Sequence, residues 1–243
     1  MKLSILMPVY NEKKWLPQIV EKVLQQKIGG INDMELLIVN DGSTDGTAEV
    51  LKELTKRYAK RIRVFAHQEN RGKGASIQTA VKYMTGDICI IQDADMEYDP
   101  ADYPLILEPI ISNRADCVYG SRFAGTQPKR VLFFWHYVGN KFLTLLSNML
   151  TNINLTDMET CYKAFRADVL KSIPIRSERF GFEPEITAKI ARRKLRIYEV
   201  GIGYHGRTYQ EGKKITWKDG LQALGIILKY WIVDDSRKEP DAR

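Results

Sequence analysis

Short β-rich runs alternate with helix-length amphipathic stretches through the first half of this chain. Residues 3–7, 35–39, 63–66, 88–91 and 117–119 read as strands. Residues 15–26, 47–58, 75–84 and 103–111 carry the helical period between them. Strands separated by a helix join by crossovers, so this rhythm predicts βαβ units and a mostly parallel sheet flanked by helices. Ser43-Thr44-Asp45 supplies N-cap chemistry to the second helix.

After Arg122 the rhythm changes. A loop over 124–130 precedes an apolar helix at 132–149 and a short strand at 161–165. A helix at 182–192, a strand at 196–204, a polar loop at 206–214 and a closing helix at 217–231 follow. The tail 234–243 is charged, contains Pro240 and is expected to be disordered. With no repeat and no linker, residues 1–233 are expected to form a single α/β domain.

In an open parallel sheet, ligands bind beyond the carboxyl ends of the strands, so the residues there carry the chemistry. They are 8–12, 40–46, 70–74, 92–97 and 120–122, all polar or glycine-bearing. The sharpest is Asp93-Ala94-Asp95, directly after an apolar strand. Carboxylates two positions apart on an extended backbone share one side, and they repel unless a cation lies between them. Such a pair suits Mg²⁺ or Mn²⁺, and a divalent cation suits a diphosphate leaving group. Asp41 and Asp45 also fit Asx-turn and capping roles. Gly72-Lys73-Gly74 lacks the spacing of a Walker motif, so it is either a phosphate contact or a helix start.

Charge and cysteine usage narrow the class. Lys and Arg number 37 against 30 Asp and Glu, a net charge of +7. That excess fits an anionic partner or a solvated basic surface. The basic residues are interleaved with acids and lack a recognition helix or an aromatic RNA-binding signature, which argues against nucleic acid. Cys89, Cys117 and Cys161 have no metal-ligand spacing and are expected to be reduced thiols of a cytoplasmic protein without a signal peptide. No run reaches the roughly 18 apolar residues of a membrane span. Residues 131–150 are broken by His136, Asn140 and Lys141, and 221–233 by Lys229, so a soluble or peripheral protein is expected.

The strand-end motifs, together with 157–165, resemble the family 2 glycosyltransferases of the GT-A fold. Within them they are most similar to the polyprenyl-phosphate branch, the dolichyl-phosphate mannose and glucose synthases. The resemblance covers most of residues 1–230 and implies a Rossmann-like sheet. It implies a nucleotide-sugar half over 1–122 and an acceptor half over 123–233. Residue by residue, it implies that Pro8, Tyr10 and Glu12 hold the nucleoside, with Glu12 on ribose. It places Asp41 on the base edge and Lys73 on base or phosphate, and it leaves Asp45 as a helix cap. Asp93 touches ribose or metal, and Asp95 the metal. Glu97 stands where the mannose synthases carry a Gln ligand, and still offers an oxygen.

The acceptor side follows from chemistry and resemblance together. An alcohol acceptor needs a general base. A lipid monophosphate, with a second pKa of roughly 6, is already ionised and needs cations to position it. Arg122, Lys129, Arg130, Arg207, Lys213 and Lys214 supply them, and Arg suits a bidentate phosphate grip. The loop between Arg122 and Arg130 resembles the branch's acceptor loop. Residues 131–135 suit either a membrane interface or a core helix. Asp157 lies in a stretch resembling the family's acidic motif, with Tyr162 in place of its Gly; the resemblance implies a base or an orienting group. Glu183 and Glu185 sit at a helix start, where acids cap favourably. Residues 204–214 resemble the family's closure motif, with Arg207, Lys213 and Lys214 facing donor diphosphate or lipid phosphate.

These readings combine into an expected activity. It is inverting, metal-dependent transfer of a hexose from a UDP-glucose-like donor or GDP-mannose to a polyprenyl or dolichyl phosphate. Asp95, Asp157, Arg122 and Arg207 form the expected catalytic set. The enzyme would work at the cytoplasmic membrane surface, and a separate membrane-anchoring subunit is left open. The alternative is the same fold acting on a saccharide or other non-lipid acceptor, which requires a true general base.

Overall fold

The computed structural model describes residues 1–125, 130–131, 133–212 and 217–233. Its centre is a seven-stranded sheet in the order β3-β2-β1-β4-β6-β5-β7. The strands are β1 (Lys2–Val9), β2 (Asp33–Asp41), β3 (Ile62–His67), β4 (Ile88–Ile91), β5 (Cys117–Ser121), β6 (Lys163–Arg166) and β7 (Ile197–Gly201). All pairings are parallel except those of β6, which runs antiparallel between β4 and β5. The expected α/β sheet is therefore present, with one inverted strand. That strand comes from the second half of the chain, so the two halves share one sheet.

The strand order follows from which runs are apolar on both faces. β1, β2 and β4 are almost continuously hydrophobic and lie in the middle, as buried parallel strands must. β3 and β7 alternate exposure and form the edges. Leaving β1, the chain winds outward to β2 and β3, while β4 lies on its other side. The winding therefore reverses between β1 and β4, and a crevice opens there beyond the strand ends.

Helices α1 (Leu16–Gln25), α2 (Thr47–Arg57), α3 (Lys73–Tyr83) and α4 (Tyr103–Ile111) make the crossovers of the first half. α1 buries Leu16, Ile19, Val20, Val23 and Leu24, the spacing of one helical stripe. The second half adds α5 (Phe134–Thr151), α6 (Ala167–Ser172), α7 (Phe182–Arg192) and α8 (Trp217–Ile232). Three boundaries correct the sequence reading. The strand expected at 161–165 starts at Lys163, because Cys161 and Tyr162 turn into the core beside Tyr98. The one expected at 196–204 stops at Gly201, where β5 ends beside it. α6 was not expected; its six residues are too short for periodicity to show. Lys129, Lys213, Lys214 and the 234–243 tail lie outside the described residues.

α5 and α8 leave a broad apolar surface. Val131, Trp135, Phe142, Leu145 and Met149 are 56–92% exposed, as are Trp231 and Ile232 at 55% and 76%. These side chains point outward, while Ala223, Ile227 and Tyr230 of α8 are buried. Among the described residues, no helix is long and apolar enough to cross a membrane.

Close packing fixes the start of α3. A Cβ at Gly74 would lie 2.0 Å from the Ser177 carbonyl oxygen. Gly74→Ala gains up to about 1 kcal/mol of helix propensity but pushes a backbone segment aside. Overpacking wins, and a net loss of about 1–3 kcal/mol is expected, read as a lower urea midpoint at unchanged m-value.

Candidate active site

The crevice between β1 and β4 gathers acids. Glu12 follows β1, and Asp93, Asp95 and Glu97 follow β4. Arg207, from the loop after β7, lies among three of them. Its Nη2 donates to Asp95 Oδ2 at 2.5 Å, its Nε and backbone N donate to Glu97 Oε1 at 3.2 and 2.9 Å, and Glu12 lies 3.4 Å away. Tyr204 OH donates to Glu97 Oε2 at 2.8 Å. Burial, then the charges of Asp93 and Glu97, push the Asp95 carboxyl up to about 8, and Arg207 pulls against them. A cluster this acidic demands positive charge. Asp93 and Asp95 offer hard oxygen donors of the kind Mg²⁺ or Mn²⁺ takes, so the residues fit such an ion.

The expected three-carboxylate ligand set is not assembled, however. Among the described residues, no three His, Cys, Asp or Glu side chains gather as metal ligands. Glu97 has both its oxygens engaged by Arg207 and Tyr204, as Asp95 is engaged by Arg207 and Asp93 by Lys73.

Lys73 and Asp41 have partners the sequence did not predict. Lys73 opens α3 after Gly72, whose φ of +100° favours glycine. Its Nζ lies 3.1 Å from Asp93 Oδ1 and 2.9 Å from Glu183 Oε1. Burial alone would lower its pKa; Asp93, Cys161 and Glu183 outweigh it and hold the ammonium charged. Asp41 is 3% exposed. It accepts from the backbone N of Arg71 at 3.0 Å and of Gly72 at 2.6 Å, and lies 2.7 Å from His67 Nδ1. The carboxylate expected on the base edge thus braces the 70–72 loop. The N-cap of α2 is Gly46, and Asp45 before it accepts from the backbone N of Thr47 at 3.0 Å and of Lys13 at 3.1 Å, an Asx turn in place of the expected cap.

Beside this crevice lies an open cavity of about 470 Å³, lined by Asn11, Glu12, Lys14, Trp15, Asp45 and Arg207 among others. It brings the β1 loop against the closure loop. Tyr10 is 37% exposed nearby in sequence, and Pro8 lies within β1, paired with Val39.

On the acceptor side, Asp157 is completely buried and clamps Arg122. Arg122 Nε and Nη2 donate to its two oxygens, each at 2.7 Å, and the backbone N of Arg122 adds a third bond at 3.0 Å. This geometry suits an orienting group: both oxygens already serve Arg122. Arg130 Nη1 bonds Glu211 Oε2 at 2.8 Å and the Gly206 carbonyl at 3.2 Å. It pins the acceptor loop to the closure loop, and its side chain remains 44% exposed.

Sequence reasoning missed the interior of the site. Gln92 is fully buried and accepts from Tyr103 OH and Tyr162 OH, both at 2.7 Å. A Gln ending an apolar strand was the available signal. Tyr162, in place of the family's Gly, fills this space. Glu183 was read as a cap, but its carboxylate faces Lys73. Lys163 is fully buried, and its Nζ donates to the carbonyls of Met158 and Thr160, shaping the 157–161 turn.

Comparison with known proteins agrees with this geometry. The family model for glycosyl transferase family 2 matches residues 4–173. The chain is 25% identical to dodecaprenyl-phosphate galacturonate synthase of Rhizobium johnstonii, over 97% of this chain and 65% of that protein. It is 29% identical to a dolichyl-phosphate beta-glucosyltransferase of Trichomonas vaginalis, over 84% of this chain and 65% of that one. It is 28% identical to the UDP-N-acetylglucosamine–dolichyl-phosphate N-acetylglucosaminyltransferase of Methanococcus voltae, over 82% and 84%. The chain therefore spans about two thirds, 65%, of the length of the first two. A crystal structure of glucosyl-3-phosphoglycerate synthase from Mycobacterium tuberculosis with Mn²⁺, UDP and glucosyl-3-phosphoglycerate superposes with a TM-score of 0.73 at 19% identity. That alignment covers 97% of this chain and 81% of that one, and it establishes the shared GT-A fold.

The Arg122–Asp157 pair yields a stability contrast. Asp157→Ala leaves a buried guanidinium unpaired and should cost about 3–5 kcal/mol in chemical denaturation. Glu108→Ala breaks the half-exposed pair with Arg114 and should cost at most about 1 kcal/mol.

Proposed function

The chain belongs to glycosyl transferase family 2, and from that premise we propose that it transfers a hexose from a nucleotide-diphosphate sugar to a polyprenyl phosphate, with inversion. The observation that carries the acceptor class is the locked Asp157. It has zero exposure and both its oxygens serve Arg122, so the acceptor side presents cations instead of a free base there. An alcohol acceptor must lose a proton to a base. A phosphate monoester arrives ionised and needs only to be positioned, which suits Arg122 and Arg130. The exposed apolar faces of α5 and α8 give a lipid acceptor a surface to approach along, and support peripheral attachment to a membrane. The names of the Rhizobium, Trichomonas and Methanococcus relatives support the same acceptor class.

Each residue has a role in this reading. Residues 1–122 form the donor half and 123–233 the acceptor half. Glu12 borders the cavity beside the crevice, and Pro8 and Tyr10 precede it on β1 and its loop as nucleoside contacts. Asp41 braces the loop carrying Lys73, and Lys73 steers the diphosphate through its bond with Asp93. Asp93 and Asp95 hold Mg²⁺ or Mn²⁺, which when bound stabilises charge on the departing diphosphate. Arg207 trades its carboxylate partners for phosphate oxygens as the donor enters. Asp157 orients Arg122 toward the attacking phosphate oxygen. Lys213 and Lys214, which follow in the sequence, are further cations proposed for the acceptor phosphate. UDP-glucose and GDP-mannose are the donors to try first.

The test is a nucleotide-sugar panel with Mn²⁺ or Mg²⁺ and a short polyprenyl phosphate, read as radiolabelled sugar-phosphate lipid. Product should form, vanish with EDTA and return on adding metal. Arg207→Ala should lower turnover about a hundredfold, the size of effect typical for one lost charge-stabilising donor. Transfer to a soluble saccharide, with none to lipid phosphate under any donor, would refute the acceptor assignment.

A further inference from the structure

Two carboxylates inside the site remain unexplained by the roles above. Glu183, in the first turn of α7, is 3% exposed. Its Oε1 is held by Lys73, but its Oε2 is buried without a hydrogen-bond partner among the described residues. Glu159 Oε1 is buried and unpartnered in the same way. An unmade bond to a buried polar group is costly, and more so for a charge. Burial and the charge of Glu183 push the Glu159 carboxyl up to about 8.

Their position says what could satisfy them. Glu183 connects through Lys73 to Asp93, at the donor-diphosphate end. Glu159 lies two residues beyond Asp157, which clamps Arg122 at the acceptor end. A transferred sugar must sit between the leaving oxygen and the attacking one, hence between these ends. We infer that Glu159 and Glu183 form the subsite for the hydroxyl groups of the transferred sugar, and that this subsite selects an uncharged sugar over a uronic acid. The inference rests on the glycosyl-transfer reading above.

The chemistry is complementary. A hexose presents hydroxyls that both donate and accept; Glu183 Oε2 is an acceptor, and the Glu159 carboxyl, pushed up to about 8, can also donate. In the ligand-free protein Lys73 is shared between Asp93 and Glu183; a diphosphate that draws Lys73 toward itself frees Glu183 to face the sugar. A uronate would instead bring a further carboxylate beside the buried Glu183 carboxylate. The nearby ammonium groups cannot absorb it: Lys73 serves Asp93 and Glu183, and Lys163 serves two backbone carbonyls. The subsite therefore separates this chain's donor from the galacturonate in the Rhizobium relative's name.

The experiment is calorimetric binding in Mn²⁺ of UDP-glucose, GDP-mannose, UDP-glucuronic acid, UDP and GDP. The proteins are wild type, Glu183→Gln and the less buried Glu159→Gln. Wild type should bind a neutral sugar nucleotide at least about tenfold tighter than UDP-glucuronic acid. Glu159→Gln should weaken the preferred neutral sugar nucleotide by about tenfold and leave the matching bare diphosphate within about twofold, and Glu183→Gln, which also releases Lys73, should weaken the sugar nucleotide by about tenfold relative to the bare diphosphate. Equal binding of UDP-glucuronic acid and UDP-glucose by wild type, which needs no variant to fold, overturns the subsite. So do variants that shift sugar nucleotide and bare diphosphate alike. In both cases the glycosyl-transfer reading survives, whereas wild type binding no sugar nucleotide at all removes both.

Discussion

Mutual repulsion among carboxylates at the mouth of β1 and β4 organises this protein. Glu12, Asp93, Asp95 and Glu97 converge because the sheet winding reverses between those strands. Like charges held this close raise one another's pKa and require cations. Two side chains supply them: Arg207 from the loop after β7 and Lys73 from the start of α3. Neither is a local partner. Arg207 lies 195 positions from Glu12 and 112 from Asp95, so the acids fasten the far end of the chain to its beginning.

That bonding couples the loops around the site. Arg207 and Tyr204 hold Glu97, Arg130 holds Glu211 in the following turn, and Lys73 links Asp93 to Glu183 on α7. A ligand that takes over one of these cations must disturb the others. Under the proposed function, donor phosphates would compete with the acids for Arg207 and Lys73, and a divalent ion with Arg207 for Asp95.

Much of this was legible in the residues. The alternation of apolar runs with helical stripes gave the parallel half of the sheet, and the polar strand ends located the rim. Asp93-Ala94-Asp95 was readable because two acids ending an apolar strand have few other uses. The inverted β6 was not readable: a four-residue buried strand carries no sign of direction. Nor were the partners of Asp41, Asp157 and Lys73. Side-chain pairing across 30 to 110 residues depends on how strands stack, which local periodicity does not encode. Hence the bonds of Glu97 to Arg207 and Tyr204 were not foreseen, and Glu183 looked like a cap and faces Lys73.

The central claim is that acidic side chains at one sheet edge bind a nucleoside diphosphate only through a shared divalent cation. Calorimetric titration of UDP and GDP into the protein, with Mn²⁺ present and with it chelated, tests this directly. One nucleotide should bind at micromolar concentration with Mn²⁺ and lose at least about a hundredfold in affinity without it, the scale of one strong metal contact. Equal affinity in both conditions, or no binding of either nucleotide with Mn²⁺, would contradict the account.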